Sequence, residues 1–99
     1  MRKELTDDEV KAEILMNLIR GKYFGGKHTD IRNAAKGIDP QHLGKRGHKR
    51  IDKLVREMIR QGFIVPKPTS YGFHISLNPG MAQEIKIFIK STLGYDLRS

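Results

Sequence analysis

The 99-residue chain predicts an α+β domain with three N-terminal helices, a β-hairpin and a C-terminal helix. Three observations carry that expectation. Within 41–62, Ile51, Leu54, Val55 and Met58 fall three or four apart, the spacing of one helical face. After Gly62 the period changes: Phe63-Ile64-Val65 is a β-forming run, and Tyr71, Phe73, Ile75 and Leu77 alternate with Gly72, His74 and Ser76. Asn78-Pro79-Gly80 then precedes Met81, Ile85, Phe88, Ile89 and Leu93, which share one face of a helix over 80–93.

The first helix is expected over 6–20. Thr6 followed by Glu9 has the form of a capping box, Asp7, Asp8 and Glu9 complement the positive end of the helix dipole, and Gly21 ends the segment. Val10, Ile14, Leu15, Leu18 and Ile19 supply its apolar face. Gly21 to His28 reads as a flexible, glycine-containing loop. A short helix begins at Thr29, whose hydroxyl can cap; Ile31, Ala34 and Ala35, with Ile38 just beyond, give it a small-residue face, and Gly37 stops it. Asp39-Pro40 is another start signal. Gly44 and Gly47 weaken any helix over 40–47, each interior Gly costing about 1 kcal/mol relative to Ala. A single turn and a break, or a frayed entrance, is therefore expected before a regular helix from His48 to Gln61. Pro66 and Pro68 remove backbone donors, which suits an edge strand, and Thr69-Ser70-Tyr71-Gly72 has the composition of a tight turn.

Size and composition narrow the functions available. A chain of this length forms one domain, 1–99, with one core and little room for an enclosed active site. No apolar run reaches the roughly 20 residues that span a bilayer. Charged residues follow Met1, so the expected compartment is the cytoplasm. With no Cys, disulfides and thiolate chemistry are excluded. No nucleophile and base are legible, and the glycines of 21–26 lack phosphate-loop spacing, so no enzyme is expected and no cofactor. His28, His42, His48 and His74 show no metal-ligand spacing, and no metal is expected.

The formal net charge is +8, and it is local. Over 41–62, seven Lys or Arg face only Asp52 and Glu57, a balance of +5. At 100° per residue, Lys45, Lys49, Lys53, Arg56 and Arg60 lie opposite the apolar face, with Arg46 and His42 beside them. Such a stripe neutralises phosphates and releases condensed counterions; its plainer alternative is solvated surface. His48, beside Lys49 and Arg50, reads as a further phosphate donor, and Asp52 and Glu57 as partners of neighbouring Lys or Arg.

The order of elements, and above all Ile51-Asp52-Lys53-Leu54-Val55-Arg56-Glu57-Met58-Ile59-Arg60-Gln61-Gly62-Phe63-Ile64, resembles the winged helix-turn-helix superfamily over residues 6–79. That resemblance implies a small winged helix-turn-helix domain that binds double-stranded DNA as a transcriptional regulator or architectural factor. Its recognition helix would enter the major groove with Lys49, Arg50 and Lys53 early in the helix, and its wing would present Lys67, Thr69, Ser70 and Tyr71 to the backbone or minor groove. Lys45, Arg46, Lys49, Arg50, Lys53 and Arg56 are the strongest candidates for contact. The connection from Lys36 to Gly47 is longer than the few-residue turn usual in the superfamily. Tyr71 has a second reading, since its alternation with Phe73 equally suits a core side chain. The helix over 80–93 is a candidate homodimer element, because a lone wing leaves one of its faces hard to cover. Structured RNA and a protein partner are the alternatives to DNA; a membrane surface is not expected, because the apolar faces are committed to a core.

Overall fold

The computed structural model describes residues 4–94. The residues next to Met1 that carry the compartment expectation lie outside that range. Among the described residues, four α-helices pack with a three-stranded antiparallel sheet, an α+β domain.

Helix α1 spans Asp7–Arg20, and the capping box forms: Thr6 Oγ1 accepts from the Glu9 amide at 3.1 Å while Glu9 Oε1 accepts from the Thr6 amide at 2.8 Å. Val10, Ile14, Leu15 and Leu18 are fully buried, and Lys11, unexpectedly, is buried with them. The 21–28 segment is not a flexible linker. Tyr23 O accepts from the Leu77 amide at 2.7 Å, the Gly25 amide donates to Leu77 O at 3.2 Å, and Ser76 Oγ donates to Gly25 O at 3.1 Å. Lys22 and Gly25 both take a φ of 58° to make the turn.

Strand β1, Thr29–Asp30, stands where a helix start was expected. It pairs with Ile75 and His74, and its two residues are too short a run to show alternation. Asp30, not Thr29, therefore caps helix α2, Ile31–Ala34, accepting from the Asn33 amide at 2.7 Å. Asn17 of α1 fastens this short helix by donating to Ala34 O and Lys36 O, both at 2.9 Å. Asp39-Pro40 opens one 3₁₀ turn, Pro40–His42, and the chain then breaks before α3, Gly47–Gln61. Ile51, Leu54, Val55 and Met58 of α3 are buried as their spacing requires. Gly62 closes α3 at φ 88°, a conformation with almost no penalty for glycine.

The hairpin consists of β2, Ile64–Thr69, and β3, Gly72–Leu77. Sheet order is β1-β3-β2, so β2 with its two prolines occupies an edge, where missing donors are tolerated. Ile64, Ile75 and Leu77 face the core, whereas Phe73, farther out, is exposed. Phe63 precedes β2 and packs its ring 5.8 Å from that of Phe88. Asn78 caps a 3₁₀ turn that leads into α4, Ala82–Leu93, whose Ile85 and Ile89 are fully buried. The face of α4 that suggested a dimer is covered within the chain, by α1 and Phe63. Ile87, off that face, remains 57% exposed. Among the described residues no helix is long and apolar enough to cross a membrane.

Candidate nucleic-acid interface

Burial of one side of α3 leaves its other side to solvent. Lys49, Asp52, Lys53, Arg56 and Arg60 are exposed on it, as are Lys45 and Arg46 immediately before the helix, and His48 stands in its first turn. Arg46 takes the N-cap position, and no side chain caps the first turn of α3. Asp52 is the one acid in this exposed row. Glu57 is withdrawn from it: instead of pairing along its own helix it meets Lys11 of α1, with Nζ 2.9 Å from Oε1. The hydrogen bond from Lys11 holds the Glu57 carboxyl below its ordinary value of 4.5, and the charges of Lys11 and Lys53 add to that effect against partial desolvation. Pairing with Lys11 thus removes a negative charge from the outer face and leaves the cations in excess.

Arg50 does not belong to the exposed row. Its Nε and Nη2 donate to Asp7 Oδ1 at 3.0 and 2.9 Å, Nη2 to Leu5 O at 2.6 Å, and Nη1 to His42 O and Leu43 O at 3.4 and 3.3 Å. Its side chain is only 17% exposed. The expectation that it contacts a groove is corrected, because its donors are committed inside the protein. Sequence position alone could not reveal this, since Asp7 is 43 residues away.

At the hairpin tip, Ser70 and Tyr71 form the two-residue connection between the paired Thr69 and Gly72. Tyr71 is 93% exposed, which excludes the core reading. Thr69 is a builder of the turn: its hydroxyl donates to Gly72 O at 2.8 Å and accepts from the Tyr71 amide at 3.1 Å. Lys67 stands opposite His74, which in turn stands opposite Asp30. The hairpin residues and the row on α3 thus belong to separate elements, joined through Gly62 and β2.

A pair missed in the sequence ties strand β3 of the hairpin to the loop before β1. His28 Nδ1 and His74 Nδ1 are 2.9 Å apart, sharing one hydrogen bond between the loop before β1 and β3. Their 46-residue separation hides the pairing from any local pattern. No group of three His, Cys, Asp or Glu able to hold a metal exists among the described residues. A cleft of about 260 Å³ beside Asn17, Tyr23, Asn33 and Lys36 is smaller than the roughly 300–1,000 Å³ usual for small-ligand sites.

Fold and surface together define a small α+β domain whose most distinctive surface features are a cation-rich face of α3 and an exposed hairpin tip. No protein-family model, curated protein or solved structure matches the chain.

Proposed function

We propose that this chain is a winged-helix domain that binds double-stranded DNA, with α3 as the recognition helix and β2–β3 as the wing, in the service of transcriptional regulation. The observation that carries the reading is the exposed row Lys49, Lys53 and Arg56 on a helix whose opposite face is locked into the core. A rigid helix of this kind fits the B-form major groove, where Arg and Lys reach both phosphates and guanine edges. The element order supports the same reading: β1 joins the hairpin as a third strand while α2 and α3 come after it in sequence. Tyr71 at the wing tip offers an exposed aromatic ring and a hydroxyl to sugar or phosphate. The role is binding, not catalysis.

The test is a titration of the protein into a labelled mixed-sequence duplex, as DNA and as RNA, at about 50 and about 200 mM salt. DNA binding that weakens steeply with salt, and exceeds RNA binding, is the expected result, because the deep, narrow groove of A-form RNA does not admit a helix. Preference for RNA would transfer the face to a structured-RNA partner. No binding to either polymer at the lower salt would remove the nucleic-acid reading and favour a protein partner.

A further inference from the structure

We infer that Arg50 and the acidic start of α1 form a clamp that positions the basic loop ahead of α3, so that Asp7, a negative charge, favours DNA binding; this role rests on the DNA-binding reading above. The loop from Leu43 to Gly47 carries Lys45 and Arg46, and its local backbone bonds lie at its two ends, from the Leu43 amide to Pro40 O at 3.1 Å and from the Arg50 amide to Arg46 O at 2.9 Å. Gly44 sits at φ 84°, Arg46 provides no side-chain cap, and both cations are exposed. What ties the loop to the start of α1 is long-range. The Leu5 amide donates to His42 O at 2.9 Å, and the Arg50 guanidinium bridges His42 O and Leu43 O on one side to Leu5 O and Asp7 Oδ1 on the other. Glu4 Oε1 adds a longer ionic contact, 3.5 Å from Nη1.

The chemistry requires a guanidinium. Its planar fork presents donors in several directions at once, two of them to one carboxylate oxygen, and a lysine ammonium on a flexible stem does not reproduce that geometry. Arg50 lies in the first turn of α3, so the same group that fixes the loop is fixed to the helix. Lys45 and Arg46 are thereby held in register with Lys49 and Lys53. Arg50 is a positioning residue in this account and touches no phosphate.

Two simple substitutions separate positioning from charge. Asp7→Ala removes a negative charge near the cationic row together with the oxygen that accepts two of the Arg50 hydrogen bonds, so electrostatics alone gives equal or tighter DNA binding. The clamp gives the opposite: affinity falls about three- to tenfold, in line with the coupling of contacting groups. The salt slope drops by about 2, as contacts from Lys45 and Arg46 are lost at roughly 0.9 each. Arg50→Lys keeps the charge and loses the fork, and is expected to weaken binding similarly; were Arg50 a phosphate contact, lysine would largely serve. In a Lys45→Ala, Arg46→Ala background neither substitution should weaken binding further, an outcome that a general loss of structure would not produce. Amide hydrogen exchange on the free protein gives an independent readout: exchange at Leu5 and Leu43 should accelerate in both variants while that at Leu54 and Val55 stays slow.

Wild-type-like or tighter binding by Asp7→Ala, or wild-type-like binding by Arg50→Lys, would overturn the clamp while leaving the DNA reading intact. Failure of the wild type to bind DNA would overturn that reading and this role with it. If either variant loses protection at Leu54 and Val55 as well, the contact is one of general stability and the positioning role is again overturned.

Discussion

Lys11 in the middle of α1 and Glu57 on α3 form an ion pair, Nζ to Oε1 2.9 Å, with the lysine side chain only 7% exposed. A buried lysine needs a partner to keep its charge, and Glu57 is the partner that also joins the scaffold helix to the basic helix. Because the Glu57 carboxyl is held below 4.5, mainly by the hydrogen bond from Lys11, its contribution is present above the unfolded-state pKa and is lost as pH falls through the lower folded value. Denaturant unfolding at a series of pH values is expected to show stability falling below about 4.5, and Glu57→Gln should flatten part of that limb. An identical acid limb in the variant would show that the pair contributes nothing to it.

Gly62 joins α3 to the segment leading into the hairpin at φ 88°, and a Cβ there would meet nothing within 4 Å. Its substitution cost is thus conformational. Gly62→Ala is expected to destabilise the domain by about 1–2 kcal/mol, the penalty for a left-handed non-glycine residue. Equilibrium denaturation measures this, and no change in midpoint would mean that the helix–strand junction had relaxed to another conformation.

Tyr71 is 93% exposed at the tip of the hairpin. Tyr71→Ala should leave stability within the scatter of ordinary surface substitutions, about 0.5 kcal/mol. DNA affinity, in contrast, should fall severalfold at constant salt. Unchanged affinity would leave the hairpin tip without a contact at this residue.

Elements with a local signature were legible in the sequence. Thr6 and Glu9 announced α1, the spacing of Ile51, Leu54, Val55 and Met58 announced α3, and alternation to Ile75 and Leu77 announced the hairpin. The hidden features are long-range. Thr29 and Asp30 become a strand only because Ile75 and His74 pair with them. His28 meets His74, and Lys11 meets Glu57, across separations that no helix or strand period reports. Arg50 shows the same limit at the site itself: helical periodicity sets it nearer the packed side of α3, yet only the fold reveals that Asp7 and three carbonyls take its donors. The other Lys and Arg residues on α3 were correctly read as exposed because a basic residue opposite a buried face has nowhere else to go.

The central claim, that the outer face of α3 binds DNA, is tested most directly by the salt dependence of affinity for wild type and a Lys49→Ala, Lys53→Ala, Arg56→Ala variant on the same duplex. Each phosphate contact contributes about 0.9 to the slope of log K against log salt, so the variant should bind more weakly with a slope shallower by roughly 2 to 3. All three side chains are exposed, so the fold should survive their removal. If wild type binds DNA and the variant matches it in affinity and slope, α3 is not the binding face.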